Sequence, residues 1–116
     1  ITNMNSARQL VMNLRDFGCT FALDDFGSGF SSFNYLKHMP LDYLKIDGSF
    51  IQDIDTDSIN RSMVDVINQL GHVMEIETIA EFVKSNDILN IIIGIGVDYA
   101  QGYEISKPKP LSEIFG

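Results

Sequence analysis

Hydrophobic and polar positions along the chain follow two spacings, one typical of helices and one of buried strands. Apolar residues recur every three or four positions over residues 7–17, 58–70 and 88–93, which predicts helices there. Residues 33–39 show the same spacing over a shorter stretch. Short apolar runs between them predict strands at residues 20–23, 43–46, 75–80 and 97–100. Strands that alternate with helices in this way predict a parallel sheet.

The same pattern predicts which residues are buried and where regular structure ends. The helix over 58–70 is expected to end at Gly71 and to bury Ile59, Met63, Val66, Ile67 and Leu70. Cys19 is expected to be a buried thiol, and a single cysteine excludes an internal disulfide. Residues 107–110 contain two prolines and are expected to break regular structure.

Polar side chains capable of chemistry stand at the end of each predicted strand. They are Asp24 and Asp25, then Lys45 and Asp47, then Glu81, and finally Gln101. Because the carboxyl ends of parallel strands lie at one edge of a sheet, we expect these side chains to lie close together. Carboxylates suit Mg²⁺ or Mn²⁺, and a lysine suits a phosphate. The alternative is that strand ends are polar because they face solvent, with Asp47 favoured as a turn residue.

Charge and composition narrow the classes of partner. The 116 residues carry 16 acidic and 8 basic side chains, a formal charge of −8, so we expect no duplex nucleic acid partner. A small phosphate ligand stays possible where metal ions neutralise it. Asn90, Gly94 and Gly96 break the longest apolar run, so no membrane segment is predicted in this chain. The chain opens on Ile1 within a helix, and we expect it to be part of a longer protein.

Four motifs in this order resemble the EAL domain. They are Asp24-Asp25-Phe26-Gly27-Ser28-Gly29, Leu44-Lys45-Ile46-Asp47, Thr78-Ile79-Ala80-Glu81 and Asp98-Tyr99-Ala100-Gln101-Gly102. The resemblance implies a modified TIM barrel with one antiparallel strand, of which residues 1–116 form the C-terminal half. It also implies hydrolysis of cyclic di-GMP to linear pGpG, assisted by Mg²⁺ or Mn²⁺ in the intact domain.

The resemblance also implies roles for individual residues. Asp24 and Asp25 correspond to metal ligands, and Glu81 to a metal-centre or water-activating residue. Lys45 corresponds to the lysine on the attacking water and phosphate, and Gln101 to a residue supporting that network. Pro108 corresponds to a proline near the nucleotide. A loop that couples metal binding to dimerisation is similar to Phe26, Gly27, Ser28, Gly29, Phe30, Ser31 and Ser32.

One position departs from the family pattern and keeps two functions open. Lys84 stands where the family has a glutamate, and Phe82 stands where a glycine is usual, although phenylalanine also occurs there. The domain is therefore either a hydrolase or a degenerate domain that binds cyclic di-GMP or signals through protein contacts. The chain by itself lacks the family's upstream metal ligands, so we expect it to be inactive.

The expected partners and setting follow from the resemblance as well. A half barrel leaves sheet edges and apolar surface uncovered, so we expect a homodimer or another association that covers them. We also expect sensory or GGDEF domains in the full-length protein, and a location in the bacterial cytoplasm.

Overall fold

The computed structural model describes residues 2–26, 36–102 and 105–110, with the backbone alone at residues 2–4, 25 and 105–110. Its numbered helices are α1 (Thr2–Asp16), α2 (Gly48–Gln52), α3 (Ser58–Val73) and α4 (Asn86–Ile95). Its strands are β1 (Ala22–Phe26), β2 (Tyr43–Ile46), β3 (Glu77–Val83), β4 (Tyr99–Gly102) and β5 (Ile105–Pro110). None of the described helices combines the length and apolar character needed to cross a membrane.

The described strands form one sheet in the order β1-β2-β3-β4-β5. Neighbouring strands from β1 to β4 pair in parallel, which confirms the prediction from the alternating pattern. The connections from β2 to β3 and from β3 to β4 are helical, through α3 and α4, since parallel neighbours cannot be joined by a tight turn. Strands in consecutive order with helices between them are the arrangement of part of a β/α barrel.

Residues 107–110 form regular structure, so the expectation of a break there is wrong. They belong to β5, which runs antiparallel to β4 and pairs Lys109 with Ala100. β5 is the last strand of the described sheet. Proline is tolerated in such a strand because its missing N–H is not needed on the side that faces away from the neighbour. An antiparallel strand thus joins the four parallel ones.

Helices α2, α3 and α4 pack on one face of the sheet, which we call the helix-covered face. Its core contains Leu44, Ile46, Ala80 and Ala100 from the strands and Ile51, Val64, Ile88 and Ile92 from the helices. These residues are essentially fully buried. Burying one such aliphatic side chain stabilises the fold by about 1.5–3 kcal/mol. Because successive residues of a strand point to opposite faces, the residues between these core positions point to what we call the opposite face.

Helix α3 buries a different side from the one that the spacing predicts. Ile67 is buried as expected, but Ile59 is 73% exposed and Val66 is 60% exposed. The side that faces the sheet carries Val64, Ile67, Asn68 and Gly71. Asn68 and Gly71 are not apolar, so a count of apolar residues misses them. The hydrogen bond between Asn68 and Thr78 and the close approach of Gly71 to the sheet determine how α3 is rotated about its axis.

Asn68 is the centre of a buried polar network between α3 and β3. The Thr78 hydroxyl donates to Asn68 Oδ1 at 2.6 Å, and Asn68 Nδ2 donates to the Ile95 carbonyl at 3.2 Å. Asp98 joins it, since its Oδ2 accepts from the Thr78 N–H at 2.9 Å and lies 2.7 Å from His72 Nε2. Because Asn68 and Thr78 bond each other and their neighbours, these two buried residues avoid the usual cost of desolvation.

Gly71 lies inside α3 rather than at its end, because the helix continues to Val73. A Cβ at Gly71 would lie 2.8 Å from the Thr78 methyl and 3.3 Å from Leu44 Cδ2. The glycine thus allows α3 to approach the sheet closely. Its predicted role as a helix end is wrong because tertiary contact, rather than termination, requires the missing side chain.

One other local expectation fails, and one helix has no counterpart in the sequence prediction. Cys19 is exposed, because it follows the turn at Gly18, whose φ of 94° ends α1 away from the core. Helix α2 is not predicted by the apolar spacing, since five residues are too few to show a helical period. The Ser85 hydroxyl accepts from the Ile88 N–H at 3.2 Å and caps the start of α4.

A matched pair of glycine substitutions tests this packing. We expect Gly71→Ala to lower the free energy of unfolding by about 1–2 kcal/mol, because the methyl group overlaps Thr78. Gly94→Ala, in α4, meets no atom within 4 Å and should raise it by up to about 1 kcal/mol through helix propensity. Urea unfolding of both variants measures the difference. Equal stability of the two would contradict the close approach at Gly71.

Candidate functional site

The structure brings four predicted site residues onto one face of neighbouring strands. Asp24 lies in β1, Lys45 in β2, Glu81 in β3 and Gln101 in β4. Each alternates with residues of the helix-covered core, so all four belong to the opposite face. Asp24 is exposed and the other three are half-buried. A positive side chain and two carboxylates thus stand near the carboxyl ends of parallel strands, where β/α barrels place their sites.

Asp24, Asp25 and Glu81 lie inside their strands, not beyond them as the sequence pattern predicts. The predicted first strand ends at residue 23, whereas β1 continues to Phe26. The predicted third strand ends at residue 80, whereas β3 continues to Val83. Acidic residues have a low propensity for strands, but pairing with the neighbouring strands outweighs that propensity here.

The strand β1 carries an extra residue at the two aspartates. Leu23 pairs with Leu44 and Phe26 pairs with Ile46, so residues 24 and 25 together stand opposite Lys45. This register shift is a β-bulge, in which two residues of one strand face one residue of its neighbour. In a regular strand two adjacent residues point to opposite faces. The bulge therefore interrupts the regular alternation of the strand at Asp24 and Asp25.

The strand β3 carries a second shift, two residues further toward the carboxyl end than the residue that pairs with Lys45. Ala80 pairs with Ala100 and Val83 pairs with Gly102, so Glu81 and Phe82 together stand opposite Gln101. Between these two bulges, β2 and β3 pair regularly. Bulges are frequent next to active sites, where they re-aim side chains. Both irregularities of the parallel sheet thus coincide with predicted site residues.

The described side chains supply part of a metal-ligand set. Carboxylate oxygens such as those of Asp24 and Glu81 are the ligands that hard divalent cations prefer. Within the side chains that the structure describes, no three His, Cys, Asp or Glu residues gather closely enough to hold an ion. Asp25 is outside that search, since its backbone alone is described. The donor chemistry therefore fits Mg²⁺ or Mn²⁺, and the described residues alone do not complete a site.

Asp47 acts as a helix cap, which agrees with its interpretation as a turn residue. Its side chain accepts from the Ser49 N–H at 3.3 Å at the start of α2. Its own N–H donates to the Phe26 carbonyl at 3.2 Å. Asp47 thus ties the ends of β1 and β2 together near the candidate site.

Two tyrosines and a glutamate fill the opposite face nearer the start of the strands. The rings of Tyr43 and Tyr99 meet edge to face with centroids 5.7 Å apart. The Tyr99 hydroxyl donates to Glu77 Oε1 at 3.4 Å. Burial, the negative charge of Glu77 and the neighbouring Tyr43 all raise the pKa of Tyr99. Its hydroxyl therefore stays protonated and keeps donating, which supports a packing role for Tyr99.

The remaining predicted site residues are placed in part. Phe26 ends β1 and is buried in the core, 7% exposed. The rest of the predicted loop, residues 27–32, lies outside the described residues, so its role as a switch stays a prediction. Pro108 lies in β5, with its backbone alone described. Phe82 shares the β3 bulge with Glu81, and the sequence prediction of the site gives it no role.

A family model agrees with the fold and with this face of the sheet. The model described as "EAL domain" matches residues 1–108. The chain belongs to the EAL domain family. This confirms the resemblance carried by the four motifs, and the match includes every candidate residue from Asp24 to Pro108.

Individual EAL proteins resemble the chain over almost its whole length. The cyclic di-GMP phosphodiesterase PdeB of Shewanella oneidensis is 44% identical over 112 residues, which are 97% of this chain and 13% of that protein. The crystal structure of the EAL domain of Mycobacterium smegmatis DcpA superposes with a TM-score of 0.85 at 30% identity, covering 98% of this chain and 51% of that one. The structure of the PaMucR phosphodiesterase in complex with c-di-GMP gives 0.79 at 30% identity, covering 95% and 44%.

The chain therefore spans about half of a solved EAL domain and a small part of PdeB. The four consecutive parallel strands are the C-terminal half of the EAL barrel, as the sequence predicts. A barrel of this type needs about 250 residues to close. Its opposite face is consequently the part that lines the interior and the mouth of a complete EAL barrel.

Proposed function

We propose that this chain supplies the C-terminal half of the active site of a phosphodiesterase that hydrolyses cyclic di-GMP to linear pGpG. The observation that carries the proposal is the placement of Asp24, Lys45, Glu81 and Gln101 on one face of four neighbouring strands. The names of related proteins support the substrate, since PdeB is a cyclic di-GMP phosphodiesterase and PaMucR is solved with c-di-GMP.

Each residue has a chemical task in this proposal. Glu81 orients the attacking water and accepts its proton, and Lys45 places a positive charge next to the phosphoryl oxygens. The water oxygen bonds to phosphorus while one P–O ester bond breaks, which opens the cyclic dinucleotide. The leaving oxygen takes a proton from solvent, and Glu81 then releases to solvent the proton that it accepted. Asp24 and Asp25 would help to hold Mg²⁺ or Mn²⁺, and such an ion would lower the pKa of the attacking water and neutralise charge on the phosphate. Gln101 positions these groups through its amide.

We also propose that the 116-residue chain alone, a partial EAL domain over residues 1–116, does not turn over cyclic di-GMP. The chain matches 51% of the DcpA domain, and the described side chains do not assemble three metal-ligating residues. Transition-state stabilisation in two-metal phosphodiester hydrolysis requires a complete ligand set. Complementation by the other half of a barrel should therefore decide activity.

A second candidate function, binding of cyclic di-GMP without hydrolysis, is favoured by one residue. Lys84 is exposed directly after β3, where EAL domains usually have a glutamate. It lies three residues beyond Glu81, so it replaces a negative charge with a positive one near the candidate site. Such a reversal weakens cation binding and strengthens phosphate binding.

The two functions are tested by joining this chain, at Ile1, to the first half of the PdeB EAL domain. We expect the joined domain with Mg²⁺ or Mn²⁺ to release pGpG, and the 116-residue chain alone to release none. Asp24→Asn, Lys45→Met and Glu81→Gln should each lower kcat by about a hundredfold or more, because each removes a charge from the reacting centre. Chromatography of the nucleotide products measures turnover.

Asp55→Asn is the matched control, since it removes the same charge from an exposed turn and should leave kcat unchanged. Turnover by the chain alone would overturn the proposal that it is inactive. A joined domain that folds and binds cyclic di-GMP without hydrolysing it would overturn the hydrolase proposal in favour of the binding one. Recovery of hydrolysis in Lys84→Glu would then identify Lys84 as the cause.

We further propose that the protein forms a homodimer through an apolar stripe on α3. The stripe consists of Ile59, Met63, Val66 and Val73, which recur along one side of the helix and are between 38% and 81% exposed. Helix α3 connects β2 to β3, the middle strands of the parallel set, so strands added at the edges of the sheet would not reach over it. A second copy presents the same apolar stripe and covers it.

Substitution within the stripe tests the dimer. We expect Val66→Glu to shift the molecular mass in light scattering from dimer to monomer, because it places a charge in an apolar interface. Asn90→Glu adds the same charge to an exposed position of α4, away from the stripe, and should leave the mass unchanged. A parent protein that is monomeric at high concentration would contradict the proposal.

We also assign the protein to the bacterial cytoplasm, joined to sensory or GGDEF domains. The small share of PdeB that the chain covers, 13%, supports the presence of further domains in relatives of this kind.

A further inference from the structure

Phe82 adopts a backbone conformation that its side chain disfavours. Its φ is 61°, in the left-handed region, where Cβ crowds the backbone of every residue except glycine. Among the described non-glycine residues, Glu75 alone shares such a positive φ. Glu75 lies in the turn before β3, where these angles are ordinary, whereas Phe82 lies inside the strand. A conformation of this kind persists when its surroundings impose it.

The ring of Phe82 rests on the first residue of α2. Gly48 is buried, and a Cβ there would overlap the Cδ2 and Cε2 atoms of the Phe82 ring. Any side chain at Gly48 would therefore push the ring away. The ring keeps 56% of its surface exposed, so burial of its apolar area is a small part of its contribution.

A second glycine, Gly102 in β4, lies next to the bulge on its other side. A Cβ at Gly102, in β4, would overlap the backbone carbonyl and nitrogen of Val83. The backbones of β3 and β4 therefore approach closely just after Phe82, where Val83 pairs with Gly102. The bulge is thus bounded by Gly48 on the β2 side and by Gly102 on the β4 side.

We propose that Phe82 is a positioning residue, whose left-handed backbone and contact with Gly48 hold the bulge next to Glu81 and thereby fix where Glu81 lies on the opposite face of the sheet. Regular pairing continued from Ala80 and Ala100 would place Phe82, rather than Val83, opposite Gly102. The bulge prevents that slip and bends β3 at the residue next to Glu81. This inference rests on the proposed hydrolase function, because it concerns the placement of Glu81.

Substitutions that separate the backbone from the ring test the proposal in the joined domain. Phe82→Ala keeps the unfavourable backbone and loses the ring, so we expect kcat to fall by about tenfold or more at nearly unchanged KM. Phe82→Gly loses the ring but adopts the left-handed conformation freely, so it should recover most of that kcat. Gly48→Ala should lower kcat as well, because its methyl group displaces the ring.

Glu75→Ala and Glu75→Gly are the matched controls, since Glu75 has the same φ of 61° at the far end of β3. They should change the thermal midpoint without changing kcat. A merely structural role of Phe82 predicts that kcat follows the thermal midpoint in all variants. Full kcat in Phe82→Ala, or an equal loss in Glu75→Ala, would overturn the proposal.

A measurement that needs no turnover separates this inference from the proposed function. Cross-strand nuclear Overhauser contacts between Val83 and Gly102 report the register of the bulge. We expect Phe82→Ala to lose them and Phe82→Gly to keep them. If the parent domain does not hydrolyse cyclic di-GMP, the hydrolase proposal fails, while loss of these contacts in Phe82→Ala still supports the role of Phe82 in holding the bulge. Unchanged contacts in that variant overturn it.

Discussion

The regular pairing of β2 with β3 is the constraint on which the rest of the structure depends. Four successive residue pairs, from Tyr43 and Glu77 to Ile46 and Ala80, join these strands without a register shift. Helix α3 packs across them through Asn68 and Gly71, and the hydrogen bonds of Thr78 and Asp98 extend the attachment to the start of β4. Because a shift of one residue would exchange the two faces of a strand, this pairing assigns one face to the core and the other to the candidate site.

The irregularities of the sheet are concentrated where chemistry is proposed. Both shifts in the parallel pairing fall toward the carboxyl ends of the strands, one where residues 24 and 25 stand opposite Lys45 and the other where Glu81 and Phe82 stand opposite Gln101. The core side of the same strands is regular and almost fully buried. Strain and bulges cost stability, and a rigid neighbouring core allows a site to retain them. The left-handed backbone of Phe82, next to Glu81, is one such strained feature beside a stable core.

Prediction from the sequence succeeded where a signal is local and failed where it depends on a neighbour. Apolar spacing located α3, yet it assigned Val66 to the core, because the helix is rotated by the contacts of Asn68 and Gly71 with β3. The ends of β1 and β3 were placed too early, since pairing extends them through acidic residues of low strand propensity. The strand β5 was missed because its prolines carry a strong local signal for broken structure.

The sequence by itself determined the family, the alternation of helices with parallel strands and the identity of the candidate residues. These follow from residue types at fixed spacings along the chain, which need no partner to be recognised. The tertiary structure alone decided that the two shifts in strand register fall beside Asp24 and Glu81, and that Phe82 takes part in one of them. Register is a property of two strands together, and the conformation of Phe82 depends on the space that Gly48 and Gly102 leave around the bulge. No pattern along one strand specifies how its neighbour is aligned with it.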